Sequence, residues 1–110
     1  MTRRARTAQA ARHAWRVASR FPPLSPGWLL GLAHDGVEDG WLPRCCLRWP
    51  ALDAITRRPG EPYAAYIGRV KLHPLARRVK LADLRDNMSR NGGPPGDLLR
   101  RYRAAMEVLE

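Results

Sequence analysis

The sequence predicts an all-α protein, a compact bundle of about six helices. Small or apolar residues recur at spacings of three and four along the chain, which is the period of an amphipathic helix. No segment alternates apolar and polar residues over the length of a strand. Proline and glycine clusters divide the chain into short segments, as expected of loops between helices. The 110 residues suffice for one core, so we expect a single domain over residues 1–110.

Two helices are predicted before residue 36. The first covers residues 4–20, where small or apolar side chains repeat with helical spacing and no glycine or proline intervenes. Pro22 and Pro23 end it, because proline disrupts a helix and restricts the residue before it. Ser25 followed by Pro26 is typical of an N-cap and a first helical position, so the second helix covers residues 26–35. It is apolar on most sides and is expected to be central.

Four further helices are predicted between the remaining breaks. The third covers residues 49–56, with Pro50 near its start and the pair Pro59-Gly60 after its end. The fourth covers residues 61–71, and the fifth runs from Pro74 to residue 88. A glycine and proline cluster over residues 91–96 precedes the last helix, which covers residues 97–108.

The charge of the chain predicts attraction to polyanions. Lysine and arginine number 20 against 10 acidic residues, a formal net charge of +10. Hydrophobic residues make up 45% of the chain, which excludes a disordered polyelectrolyte. Nucleic acid, a phosphorylated small molecule and an anionic membrane are all compatible with this charge, and so is a solvated basic face with no ligand.

The sequence also predicts a cytoplasmic protein. No stretch approaches the roughly 18 uncharged residues that cross a bilayer, and Arg12, His13 and Arg16 interrupt what would be the apolar part of a signal peptide. Cys45 and Cys46 are adjacent, a spacing that suits neither an ordinary disulfide nor a zinc ribbon.

An acidic cluster follows the second predicted helix. His34, Asp35, Glu38 and Asp39 are four ionisable residues within six positions. Adjacent histidine and aspartate side chains at a helix end can bind one divalent ion. Without a cation, packing this cluster costs desolvation and carboxylate repulsion. The alternative is a histidine at a helix C-terminus beside a capping carboxylate.

A second polar group is predicted on the fifth helix. Asp83 shares a face with Val79 and Ala82, and Asn87 lies one turn further on, so both can point inward. A buried carboxylate needs a partner, which a metal at the first cluster would supply. His13, taken alone, is more typical of a helix surface. His73, just before a helix start, is expected to be a capping or loop residue.

Together these two groups resemble the HD-domain phosphohydrolases, specifically the (p)ppGpp hydrolase domains of the Rel/Spo homologue family and its small stand-alone members. The motifs that carry the resemblance are His34-Asp35 with Glu38-Asp39, and Val79-Lys80-Leu81-Ala82-Asp83 followed by Asn87. Residues 52–67 are similar to the linking segment of those proteins, and residues 12–18 to a shortened form of the segment that supplies their first histidine ligand. The resemblance extends from about residue 13 to residue 109.

The resemblance implies a metal-dependent hydrolase that removes the 3′-pyrophosphate of a guanosine polyphosphate, an activity of the stringent response. It implies His13, His34, Asp35 and Asp83 as ligands of one divalent metal, usually Mn²⁺. It also implies Glu38 and Asp39 as the acidic pair that handles the attacking water, and Asn87 as a contact to the substrate. Lys80 and Arg57 are further candidates for binding phosphate.

Two alternatives stay open. The segment from His13 to His34 is shorter than is usual in that family, so, if His13 is not a ligand, the chain would be an inactive or repurposed member. A non-catalytic helical module that binds nucleic acid is the other alternative, with affinity that falls steeply as salt rises. Its candidate residues are Arg3, Arg4, Arg6, Arg12, Arg16, Arg100, Arg101 and Arg103. The expected partner is a phosphorylated nucleotide and not a membrane; four tryptophans leave self-association open.

Overall fold

The computed structural model describes residues 2–90 and 93–110, with the side chains of all these residues except 3–5. Over this part of the chain it contains six α-helices and no strand, which confirms the all-α prediction. The helices are α1 (Arg3–Ala18), α2 (Pro26–Ala33), α3 (Pro50–Ile55), α4 (Tyr63–Lys71), α5 (Pro74–Ser89) and α6 (Gly96–Leu109). Residues 91 and 92 of the predicted glycine and proline cluster lie outside the described residues.

Local signals placed several helix ends correctly. The Ser25 hydroxyl accepts a hydrogen bond from the Trp28 amide and caps α2, and the His73 ring accepts one from the Ala76 amide and caps α5. The predicted start of α4 is two residues early, because Glu61 lies in the preceding loop and accepts a hydrogen bond from the Arg58 amide. A short 3₁₀-helix over Arg44–Arg48 has no counterpart in the sequence prediction.

Helix α5, rather than α2, is the central helix of the bundle. It packs against each of the other five helices. Its buried residues include Val79 and Leu84, which belong to one hydrophobic core with apolar residues from every other helix, and this burial drives folding. The core residues of the other helices are Val17, Leu30, Leu52, Ile55, Ile67, Val70 and Leu109. Helix α2 is buried on one side only, and Leu29 on its other side is exposed.

A close approach of α1 and α2 positions the polar residues described below. A Cβ atom at Gly31 would lie 2.8 Å from Ala18 Cα, so this crossing requires glycine. The approach brings the C-terminal end of α2, which His34 caps, against the face of α1 that carries His13. Both imidazoles are consequently buried beside α5.

The structure also bears on the predictions about membrane-spanning segments and about the two cysteines. Among the described residues, no helix combines the length and the apolar character needed to cross a bilayer. Cys45 and Cys46 are free thiols, as their adjacent positions predict.

Candidate metal centre

Four side chains from three segments of the bundle converge at its centre. His13 comes from α1, His34 and Asp35 follow α2, and Asp83 comes from α5. One ligand atom from each residue lies within 4.8 Å of the other three. His13 Nε2 lies 2.7 Å from Asp83 Oδ1 and 3.3 Å from His34 Nε2. His34 Nε2 lies 3.2 Å from Asp35 Oδ2.

Both imidazoles are oriented by the nitrogen that faces away from this centre. His13 Nδ1 lies 2.6 Å from Asp86 Oδ2, and His34 Nδ1 lies 2.6 Å from the Gly31 carbonyl oxygen. An imidazole that donates from Nδ1 offers the lone pair of Nε2 to a metal. The two Nε2 atoms therefore point into the same space.

The spacing of these atoms fits a single cation. Two ligand atoms that each lie about 2.1 Å from one ion are separated by about 3 Å at a right angle and by about 3.4 Å at the tetrahedral angle. The distances from His13 Nε2 to Asp83 Oδ1 and to Asp35 Oδ2 are 2.7 and 3.7 Å. The donor set, two imidazole nitrogens and two carboxylate oxygens, could hold a divalent metal ion.

The centre is strongly charged. Burial alone would raise the pKa of Asp83, but the Lys80 ammonium and the neighbouring imidazoles hold it well below its usual value. Burial opposes the charged form of His34, yet hydrogen bonds to Asp35 and Asp83 outweigh this and raise its pKa to about 10. In the absence of a metal, a proton on His34 therefore compensates part of the carboxylate charge.

Asp86 is a site residue that the sequence interpretation did not single out. Besides His13, its carboxylate accepts hydrogen bonds from Arg16 Nε at 2.8 Å and Arg16 Nη2 at 3.3 Å. Burial favours its neutral form, but the Arg16 and His13 hydrogen bonds lower its pKa, so it stays ionised. Its spacing of three from Asp83 places it on the same side of α5, but no local pattern identifies its partner on α1.

A cavity of about 380 Å³ opens over the centre. His13, Asp35 and Asp83 line it, together with the amide of Asn87. The cationic side chains around it are Arg6, Lys80, Arg90 and Arg101. Lys80 is fixed by a 2.7 Å hydrogen bond from Nζ to Asp83 Oδ2. The cavity therefore combines a carboxylate and imidazole floor with cationic walls, a combination suited to an anionic ligand.

The acidic pair predicted to handle water lies beside the centre rather than in it. Glu38 Oε1 accepts a 2.5 Å hydrogen bond from the Arg57 amide, and Asp39 is anchored through its own amide to the Asp35 carbonyl. Burial raises the pKa of both carboxyls, and the nearby Asp35 charge raises them further. Among the described residues neither side chain lines the cavity.

Several other basic residues that the sequence suggested for binding phosphate or nucleic acid make different contacts. Arg57 lines a second cavity of about 290 Å³, and its guanidinium donates to the Glu61 carbonyl and lies 5.5 Å from the Tyr63 ring centroid. Arg16 pairs with Asp86, and Arg100 pairs with exposed Asp97. The side chains of Arg3 and Arg4 lie outside the described residues.

The centre thus combines ligand atoms, their orientation and charged surroundings that could hold a metal ion. No model of a known protein family matches the chain, and the curated proteins contain no significant match to it.

Proposed function

We propose that the protein is a metal-dependent phosphohydrolase of the HD-domain type that acts on a phosphorylated nucleotide. One observation carries this proposal. Ligand atoms from His13, His34, Asp35 and Asp83 face one another, and three of these residues, His13, Asp35 and Asp83, line a cavity with cationic walls. Phosphoryl transfer needs both parts, a cation that polarises the phosphoryl group and positive charges that neutralise its oxygens.

Mn²⁺ is the proposed metal, because the mixed nitrogen and oxygen donor set suits it and the resemblance implies it. A divalent cation held there supplies Lewis-acid polarisation of the phosphoryl group and a lower pKa for water. Asp86 and the Gly31 carbonyl keep both Nε2 atoms turned toward the cation.

The other residues bind phosphate and move protons. The Lys80 ammonium and the Asn87 amide lie on the cavity wall beside the ligands, where they can donate to phosphoryl oxygens. Glu38 lies beside the centre, and burial raises the pKa of its carboxyl; in this proposal it accepts the proton of the attacking water. Water attacks the phosphorus, the bond from that phosphorus to the 3′-oxygen of the nucleotide breaks, and the released oxygen takes up a proton.

A guanosine polyphosphate is the first proposed substrate, through the resemblance, and the cytoplasm the proposed compartment. Nucleic acid remains the alternative ligand. The positions of Arg16 and Arg101 favour a small molecule, because the first pairs with Asp86 and the second faces the cavity.

The experiment incubates the Mn²⁺-loaded protein with guanosine polyphosphates, nucleoside triphosphates and nicotinamide dinucleotides and measures release of pyrophosphate or phosphate. Glu38→Gln should retain the metal but slow turnover by roughly a hundredfold or more, the usual effect of removing a general acid or base. Asp35→Asn should lose metal and activity together. It is a cleaner ligand variant than Asp83→Asn, which also removes the partner of buried Lys80.

No turnover of any of these substrates by the metal-loaded wild type would contradict the proposal. Loss of the metal in Glu38→Gln would show that Glu38 is a ligand. Unchanged turnover in the same variant would remove the proposed proton acceptor.

A further inference from the structure

Tyr63, at the start of α4, carries a buried polar atom without a partner. Its hydroxyl is inaccessible to solvent and, among the described residues, has no hydrogen-bond partner. The same side chain lines the cavity over the candidate metal centre. A buried hydroxyl without a partner destabilises a fold by the full cost of its desolvation, so such groups are rare and often functional.

Three neighbouring side chains flank the Tyr63 ring. The Arg101 guanidinium carbon lies 4.6 Å from the ring centroid and that of Arg57 lies 5.5 Å from it, both within the range of cation–π attraction. The Tyr66 ring packs against it at a centroid distance of 5.8 Å. These contacts give the hydroxyl no hydrogen bond among the described residues, so a turn of the side chain toward a ligand in the cavity would break none.

Tyr66, one turn further along the same helix, provides the contrast. Its hydroxyl is also buried, but it donates to the Ile55 carbonyl oxygen and so ties α4 to the end of α3. The two tyrosines therefore share a helix and differ in one respect, since only Tyr66 has a protein partner for its hydroxyl.

A ligand in the cavity must offer an acceptor to Tyr63. Burial raises the pKa of Tyr63, so the phenol keeps its proton and can donate it. Arg90 lines the same cavity, and its buried Nε has no hydrogen-bond partner among the described residues, although it forms an ion pair with Asp86 at 3.6 Å. Unpartnered donors call for a ligand rich in acceptor oxygens.

We propose that the Tyr63 hydroxyl binds the ligand of this cavity directly, by donating a hydrogen bond to an anionic oxygen of a phosphoryl group. Arg101 lies against the same ring and supplies positive charge beside that oxygen. Tyr63 is then a residue that binds substrate, and its hydroxyl is kept without a protein partner at a cost in stability. This inference rests on the proposed function for the identity of the ligand as a phosphoryl compound.

The first experiment compares the thermal stability of Tyr63→Phe and Tyr66→Phe without metal or ligand. Tyr63→Phe should raise Tm, because it removes an unpartnered hydroxyl from a buried position. Tyr66→Phe should lower Tm, because it removes the hydrogen bond to Ile55. A fall in Tm for Tyr63→Phe as large as that for Tyr66→Phe would show that the hydroxyl has a structural partner and would overturn the proposal.

The second experiment measures binding of inorganic phosphate and pyrophosphate to the Mn²⁺-loaded proteins by calorimetry. We expect Tyr63→Phe to weaken pyrophosphate binding about tenfold or more, the effect of losing one hydrogen bond to a charged oxygen. Tyr66→Phe should bind pyrophosphate as the wild type does.

Equal affinity of Tyr63→Phe and wild type, or no binding of either anion by the wild type at millimolar concentration, would overturn the proposal. Binding is measured without turnover, so an inert protein that binds pyrophosphate through Tyr63 would leave this inference standing while contradicting the proposed hydrolysis. Conversely, a hydrolase whose affinity is indifferent to Tyr63→Phe would contradict only this inference.

Discussion

His13 illustrates how the surroundings of a residue decide its role. Its sequence neighbours on α1 are those of a surface histidine, yet the ring is buried with both nitrogens against carboxylates. Those carboxylates, Asp83 and Asp86, come from α5, at sequence separations of 70 and 73 residues. A buried imidazole held between two carboxylates has little freedom to rotate, so its Nε2 stays directed at the centre.

Asp86 should influence the affinity of the centre for Mn²⁺ through its contact with His13. Replacing Asp86 with alanine removes the acceptor for His13 Nδ1 and should lower the affinity for Mn²⁺ about 10- to 100-fold, the usual effect of losing a group that orients a metal ligand. Asp86→Asn keeps an acceptor oxygen and should retain more of that affinity. Competition with a fluorescent chelator measures both variants.

Arg16→Gln is the matched control, because it removes the other partner of Asp86 and leaves the contact to His13 in place. Its effect on Mn²⁺ affinity should be smaller than that of Asp86→Ala. Wild-type affinity in Asp86→Ala would mean that His13 needs no carboxylate to orient it, or that His13 is not a ligand.

Some residues of the candidate site can be identified from the sequence, and others only from the fold. His34 and Asp35 are adjacent, and Asp83 follows a helical pattern of apolar residues, so local spacing is enough to select them. Asp86, Tyr63 and Arg101 acquire their roles through contacts between helices that are distant in sequence. Single-sequence spacing carries no information about such contacts. The opposite case is Arg57, a predicted phosphate-binding residue that lines a different cavity from the one over the candidate metal centre.

At the scale of helices, Arg69 joins α4 to the end of α3. Its guanidinium donates to the carbonyl oxygens of Asp53, Ala54 and Thr56, at the C-terminal end of α3, where carbonyls lack a full set of intrahelical partners. Glu61 holds the guanidinium in place through two hydrogen bonds, of 2.9 and 3.1 Å. The pair thus closes the loop between the two helices whose packing places Tyr63.

The pair of Glu61 and Arg69 should make the stability of the fold depend on pH. The hydrogen bonds from Arg69 lower the pKa of Glu61 from its ordinary 4.5 to about 2. Because the folded value is the lower one, the stabilisation is fully present above pH 4.5 and is lost as the pH falls through about 2. Glu61→Gln should therefore cost about 1–2 kcal/mol of unfolding free energy at neutral pH and much less at pH 2, as measured by urea denaturation.

Asp97→Asn is the control, since this carboxylate also pairs with an arginine but both side chains are exposed. Its effect on unfolding should be close to zero at both pH values. If Glu61→Gln lowered the free energy of unfolding equally at neutral and acidic pH, the charge of Glu61 would not contribute to stability, and only the shape of its side chain would.

The helices themselves were largely predictable, and the exceptions have physical causes. Pro26, Pro50 and Pro74 each lie at the start of a helix, where the absent amide hydrogen costs nothing. The 3₁₀-helix over Arg44–Arg48 has no buried residue and no side-chain cap, so neither hydrophobic periodicity nor a capping signal announces it. The central place of α5 depends on packing with five helices, which a pattern within one segment does not encode.

For the whole molecule, the candidate metal centre is where distant segments meet. Its ligands come from α1, from the end of α2 and from α5, so the first and fifth helices are joined through groups 70 residues apart. Close to it, the positive charges of Lys80 and Arg16 compensate the negative charges of Asp83 and Asp86, respectively. Part of the positive charge of the chain therefore balances carboxylates within the bundle. Further cationic side chains, of Arg6, Arg90 and Arg101, line the cavity.

The last prediction follows from this convergence. Because the ligands lie on separate helices, the unfolded chain does not present them together, and Mn²⁺ should bind the folded state selectively. At a hundred times its Kd such a ligand adds about 2.7 kcal/mol to the free energy of unfolding, which corresponds to a rise in Tm of roughly ten degrees for a domain of this size. Calorimetry should show this rise with Mn²⁺ and its reversal by a chelator, whereas Asp35→Asn should show only a small rise. A wild-type Tm indifferent to both additions would mean that the four side chains bind no metal, and that the proton on His34 is their permanent counter-charge.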